Sequence, residues 1–228
     1  EGLTVREVRV NSHDGVEVPV SVLPRADVKL DCRNPATLYG YGAYGLTLTS
    51  PSFDYRIVAW LERGGVYAMA GVRGGGERGE AWHLAGKGPT KPNTWKDFIA
   101  CAEHLVREGI TSPARLAGTG VSAGGILISN AIVERPDLFA AAVIDVGLTN
   151  AVRMETTANG LPNVPEFGSC ATEAGFLALL EMDAYHKVRA GARYPAVLFN
   201  HGINDPRVEP WFAAKMAAQL QRLGDPGQ

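Results

Sequence analysis

The stretch GTGVSAGGI, residues 118–126, fits two motifs that imply different proteins. Read as Gly118-x-Gly120-x-x-Ala123, it is a dinucleotide fingerprint, whose glycines let a pyrophosphate approach the start of a helix. Read as Gly120-x-Ser122-x-Gly124, it is a nucleophile elbow, in which a tight strand-to-helix turn thrusts a serine hydroxyl out of the backbone. The first reading needs an acid at the end of the next strand, about 20 residues on, to hold a ribose. Asp137 has roughly that spacing but precedes the apolar run LFAAAVIDVG (138–147), and Asp145 lies inside the run and further away. The second reading needs room, because strand and helix approach closely on either side of a strained serine. Gly120, Gly124 and Gly125 supply it. The motif alone still leaves open a glycine-rich turn with an incidental serine.

Other glycine signatures add no nucleotide site. Gly74-Gly75-Gly76-Glu77-Arg78-Gly79 also spells G-x-G-x-x-G, but its candidate acid, Asp97, falls within a strong helix pattern. Gly86-Lys87 is followed by Gly88, where a P-loop needs Ser or Thr for magnesium.

A chain of 228 residues with 46% hydrophobic content is long enough for one domain, 1–228, with a sizeable core. A net charge of −2 without Lys/Arg runs argues against nucleic acid and against an anionic membrane surface as partners. No apolar run reaches membrane-spanning length, and the N-terminus lacks a signal-peptide pattern. The expectation is a soluble protein of the cytoplasm or periplasm that handles a small molecule or peptide. Three widely spaced cysteines, Cys32, Cys101 and Cys170, suggest neither a disulfide framework nor a zinc site. Cys101 falls on the apolar side of a helix pattern and reads as a core residue.

Along the chain, LTVREVRV and VEVPVSVL read as a hairpin across NSHDG. Apolar runs ATLYGY (36–41), VYAMAGV (66–72), RLAGTG, AAAVIDVG and PAVLFNHG read as strands, the second covered on both faces. A helical segment is expected near FDYRIVAWLERGG. The clearest helix carries Trp95, Phe98, Ile99, Ala102, Leu105 and Val106, with Asn93 or Thr94 as cap and Gly109 as stop. A last helix near Pro210 carries Phe212, Met216, Leu220 and Leu223 on one stripe. Strands alternating with helices after a hairpin predict an α/β domain with a mostly parallel sheet.

A nucleophilic serine needs a base and an acid, in the order Ser, Asp or Glu, His. Asp205, in NHGINDPRVEP (200–210), follows an apolar run and sits where a triad carboxylate would. No histidine follows it: His13, His83, His104, His186 and His201 all precede Asp205. His201 ends the same strand and reads as structural.

The segments LYGYGAYG (38–45), VRGGGERGEAWH (72–83), TSPARLAGTGVSAGG (111–125), ERPDLFAAAV (134–143) and NDPRV (204–208) occur in this order. Together they resemble the catalytic domain of the prolyl oligopeptidase family of serine peptidases, almost end to end. The resemblance implies an α/β-hydrolase fold paired with a β-propeller whose sequence precedes this segment. It makes Ser122 the nucleophile and Asp205 the residue that orients the histidine. The Ala123 N–H and the Tyr41 hydroxyl become the oxyanion hole, where each donor is worth roughly 3–4 kcal/mol to the transition state.

By the same resemblance, Arg207 would hold a substrate carbonyl, and Tyr44, Phe167 and Val208 would line the first specificity pocket. Asn163 stands where proline-specific members place a tryptophan, so strict post-proline cleavage is not implied. Glu166 is either an attractor for a basic residue or a solvated loop charge. His83 lies on a segment the family uses structurally. The family's catalytic histidine follows the last helix, so the sequence ending LGDPGQ reads as a fragment, inactive alone. The expected activity is hydrolysis of short peptides through an acyl-enzyme, with no metal or organic cofactor implied. The alternatives are an esterase or lipase of the same fold and a non-catalytic binding domain.

Overall fold

REVRVN and EVPVSVL pair as the expected hairpin. In the computed structural model, which describes residues 2–47 and 54–225, β1 (Arg6–Asn11) and β2 (Glu17–Leu23) run antiparallel with Val10 opposite Val18. The turn is closed by the Ser12 N–H donating to Val16 O at 2.8 Å. Val10, Val18 and Val20 lie inside the core, so the alternation places one face of the hairpin inwards.

Five further strands follow: β3 (Ala36–Gly40), β4 (Val66–Ala70), β5 (Leu116–Val121), β6 (Ala141–Asp145) and β7 (Ala196–Asn200). They complete a seven-stranded sheet of order β1-β2-β4-β3-β5-β6-β7. The pairs from β4 through β7 are parallel, and β2 joins β4 antiparallel. The helices are α1 (Tyr55–Glu62), α2 (Glu80–Leu84), α3 (Pro92–Arg107), α4 (Gly124–Glu134), α5 (Val164–Phe167), α6 (Glu173–Met182), α7 (Ala184–Lys187) and α8 (Trp211–Leu223). The helical segment expected near residue 53 thus starts at Tyr55; Phe53 itself, like the chain end after Asp225, lies outside the described residues.

The main core joins inward residues of the sheet, such as Leu38, Leu116 and Ile144, to α3 and α4. A smaller cluster of Leu23, Leu61 and Met69 holds α1 against the opposite face, so β4 is covered on both sides as its composition predicts. Trp95 and Phe98 of α3 are fully buried, and truncating either to Ala is expected to cost about 3–5 kcal/mol.

That helix begins earlier than its sequence signals suggest. Pro92 takes the first helical position after Lys91, because a proline there loses no hydrogen bond and its φ is already helical. Asn93 and Thr94 therefore cap nothing: the Asn93 amide donates to Ala85 O at 2.9 Å and the Thr94 hydroxyl to Arg73 O at 2.7 Å. Gly109 follows the helix end with φ +70°, the left-handed stop expected of it. Among the described residues no helix is long and apolar enough to cross a membrane.

Candidate active site

The parallel strands β3, β5 and β6 all run into loops at one edge of the sheet, where ligands gather in such folds. At that edge Ser122 joins β5 to α4 with φ +55°, a left-handed conformation that costs a non-glycine residue about 1–3 kcal/mol. Its neighbours hold it there. The Ser122 N–H donates to Asp145 O at 2.9 Å, and its carbonyl accepts from Gly125 N at 2.9 Å and Leu148 N at 3.1 Å. The glycines are required by close approach: a Cβ at Gly120 would lie 2.7 Å from Gly124 O, and one at Gly125 2.6 Å from Gly147 Cα. Gly118, the first glycine of the rival fingerprint, is buried, and a Cβ there would face Phe98 and Phe139. The turn is an elbow, and nothing in it cradles a pyrophosphate.

Ser122 opens on a cavity of about 330 Å3 whose walls include Tyr41, Tyr44, Asn163, Arg207 and Val208. Five residues singled out from the sequence thus meet the serine in one place. Ala123 begins α4 beside it, among the N–H groups that a helix start leaves without internal partners. Burial raises the pKa of the Tyr41 phenol, with the Arg207 charge opposing, so the hydroxyl remains a donor across the working pH range. Leu46, Leu148, Met154 and Pro162 supply apolar parts of a wall that is otherwise largely polar. None of the four carries a sequence signal.

Asp205 does not line the cavity. Its Oδ1 accepts from the Arg207 N–H at 2.9 Å and the Val208 N–H at 3.0 Å, which fixes the turn that presents both residues to the cavity. These two bonds, Val208 first, lower its pKa.

Two expectations are corrected. Phe167 is fully buried and forms no part of the cavity surface; it stands behind Tyr44, edge to face at 5.5 Å. Glu166 is neither a solvated charge nor a wall of the cavity, being only 5% exposed. Its Oε1 accepts from the Tyr44 N–H at 2.7 Å and its Oε2 faces His83 Nε2 at 2.8 Å. The reason is the loop from Tyr41 to Leu46, which includes left-handed Gly42, Tyr44 and Gly45 and therefore needs partners outside itself.

Lys91 is another such partner, and its sequence context gives no sign of the role. Its fully buried ammonium donates to Gly42 O and lies 5.4 Å over the Phe167 ring. Burial pushes its pKa down to about 8, with Glu166 opposing. The lysine stands between two prolines and a helix start, a context that reads as solvated. On the outer side, the Tyr44 hydroxyl donates to Asn163 Oδ1 at 2.7 Å, while the Asn163 amide donates to Asn159 O at 2.8 Å.

The second G-x-G-x-x-G is explained by the same loop. A Cβ at Gly74 would lie 2.1 Å from Gly42 O and one at Gly76 2.2 Å from Gly45 O, so these glycines form the floor under the loop. Asp97, its candidate acid, is fully buried and accepts from Arg73 Nη2 at 2.6 Å and Nε at 2.9 Å.

No histidine lines the cavity. His13 meets Ser12 Oγ at 3.1 Å, His83 meets Glu166, His104 meets Arg107 at 3.0 Å, His186 meets Asp183 at 3.0 Å and His201 meets Val208 O at 2.7 Å. His201, just past the end of β7, also lies 3.8 Å from Asp205 Oδ2, so the two flank one turn.

A mostly parallel sheet with an antiparallel start and a serine elbow at its loop edge define an α/β-hydrolase domain. The sequence profile of the prolyl oligopeptidase family matches residues 51–228, and the chain belongs to that family. An uncharacterised peptidase of Sinorhizobium fredii is 38% identical over 226 residues, 99% of this chain and 31% of the relative. The prolyl endopeptidase of Elizabethkingia miricola is 34% identical over 97% of this chain and 31% of its own length. Among solved structures, oligopeptidase B of Trypanosoma brucei with covalently bound antipain superposes with a TM-score of 0.93 at 37% identity, over 98% of this chain and 32% of that one. Prolyl oligopeptidase B of Galerina marginata gives 0.95 at 32%, over 99% and 32%. The chain therefore spans about a third of the length of these relatives.

Proposed function

We propose that this domain hydrolyses short peptides through an acyl-enzyme formed on Ser122. The observation that carries the reading is the strained serine opening on a cavity shared with Tyr41 and Arg207. Ser122 Oγ attacks the scissile carbonyl and passes its proton to a base, while the oxyanion forms between the Tyr41 hydroxyl and the Ala123 N–H. Collapse returns that proton to the leaving amine, and water releases the acyl group by the reverse sequence. Arg207, at the rim, holds a substrate carbonyl or carboxylate.

The base on this reading is a histidine oriented by Asp205 and supplied from elsewhere in the parent protein, since none of the five histidines here lines the cavity of Ser122. The segment taken alone is then close to inactive. A β-propeller within the same parent protein, screening out large substrates, accords with relatives about three times as long.

Intact mass after fluorophosphonate treatment tests the assignment. The whole protein should take one adduct that Ser122→Ala abolishes, and the 228-residue segment, folded by circular dichroism, should take almost none. An adduct on the segment would mean that another group activates Ser122. No adduct on the whole protein would favour a binding domain, and turnover of simple esters without peptide amides an esterase.

A further inference from the structure

The loop from Tyr41 to Leu46 carries the oxyanion hydroxyl and one cavity wall, and the backbone N–H of its left-handed Tyr44 is held by a side chain from outside the loop. We infer that Glu166 and His83 are positioning residues that act through this loop on Tyr41, and that Glu166 is not a subsite for a basic substrate residue. The inference rests on the peptidase reading above.

Four observations converge. First, Glu166 comes from α5 and His83 from α2, and their 2.8 Å contact closes a bridge across the loop. Second, the bridge ends on the Tyr44 N–H, a donor held in a left-handed residue within three positions of Tyr41. Third, the His83 ring lies beneath the loop: a Cβ placed on Gly45 would meet its Cγ and Nδ1 at 3.4 Å. Fourth, both carboxylate oxygens of Glu166 already have partners, and the residue is 5% exposed and absent from the cavity wall. A substrate guanidinium or ammonium would have to displace His83 or the Tyr44 N–H to reach it. An ordered loop is what the oxyanion donor requires, because a preorganised hydroxyl contributes only if it already points at the developing charge.

The test is a double-mutant cycle in the whole protein, with folding of each variant checked by its thermal transition. Glu166→Ala is expected to lower kcat about tenfold on a neutral peptide, and to lower it by no more than about twofold when Tyr41 is already Phe, because the two act as one unit. Glu166→Gln should recover activity to within about threefold, since its amide oxygen still accepts the Tyr44 N–H and its amide group keeps a polar partner for His83. Should Glu166→Ala not fold, His83→Ala replaces it in the cycle, with a smaller drop that again disappears with Tyr41→Phe. An equal drop in both backgrounds overturns the inference. So does a loss confined to KM for peptides with Arg or Lys at the cleaved bond, which would make Glu166 a subsite. Ser122→Ala separates the two levels: if it keeps activity, the peptidase reading itself fails, whereas an inactive Ser122→Ala beside a fully active Glu166→Ala removes only the positioning role.

Discussion

The elbow and the tyrosine loop reach the same cavity by different means. Around Ser122 the constraints are backbone against backbone: glycines at 120 and 125 admit a carbonyl and a neighbouring chain, and main-chain bonds to 145 and 148 fix the turn. Around Tyr41 to Leu46 the backbone of residues 74 and 76 forms a floor, and side chains from far along the chain add the rest: Lys91 on Gly42 O, Glu166 on the Tyr44 N–H and Asn163 on the Tyr44 hydroxyl. A turn held by backbone contacts alone tolerates no added atom, whereas a loop held partly by side chains weakens in steps as each of these is removed. On the proposed chemistry, the first region supplies the nucleophile and one oxyanion donor, the Ala123 N–H, and the second supplies the other, the Tyr41 hydroxyl.

The sharpest way to separate them is Tyr41→Phe, which removes one donor without moving the serine. Peptide turnover by the whole protein should fall about 10²–10³-fold, or about 3–4 kcal/mol, with KM little changed. Fluorophosphonate should still label Ser122, only more slowly. Unchanged kcat would remove the loop from the chemistry.

Breaking the elbow gives the opposite signature. Gly125→Ala sets a methyl group 2.6 Å from Gly147 Cα and Leu148 N, both backbone, so the clash cannot be relieved by a rotamer change. Equilibrium urea unfolding should show a loss of about 3 kcal/mol, and the remaining folded protein should label poorly. A variant as stable as the parent would mean that the start of α4 and the segment after β6 are not in the close contact described.

This difference also decides what was legible in the sequence. Gly120, Ser122, Gly124 and Gly125 announce the elbow because the residues it requires lie within nine consecutive positions, even though its partners at 145, 147 and 148 do not, and strand and helix periodicity placed it at a sheet edge. The loop's constraints span 49 positions to Lys91 and 122 to Glu166, so no window contains them. A buried lysine between prolines reads as solvated, and a glutamate near a pocket reads as a ligand for cations. The triple glycine at 74–76 misleads for the same reason: it serves a loop thirty residues earlier, and only the fold shows which atoms approach it. Tyr41 itself was identified by family resemblance and not by any property of the loop's composition.

Lys91 makes the loop's support measurable by pH. Its folded pKa of about 8 lies below the ordinary 10.5, so between these values the unfolded chain binds more protons and stability must rise with pH. From pH 7.5 to 9.5 this amounts to a gain of about 2 kcal/mol. Tyrosines with raised pKa values work against it only near and above pH 10. The difference between the parent and Lys91→Met in urea unfolding at the two pH values isolates the lysine: the parent should gain on the variant by that amount. Parallel pH profiles would mean that the ammonium is not buried against Gly42 as described.

The smallest effect is expected at the outer end of the loop, and its smallness is informative. Asn163→Ala removes the acceptor of the Tyr44 hydroxyl, but that bond is exposed and water replaces it. A net loss of about 1 kcal/mol or less follows, read as a rise in KM of up to about fivefold with kcat unchanged. Glu166 sits on the same short helix region but holds a backbone donor away from water, where an unsatisfied group costs more than a lost surface bond. The two substitutions thus affect neighbouring residues and the same tyrosine, one at its hydroxyl and one at its amide. If Asn163→Ala lowered kcat as far as Glu166→Ala, the ring of Tyr44 and not the backbone of its loop would be setting the position of Tyr41.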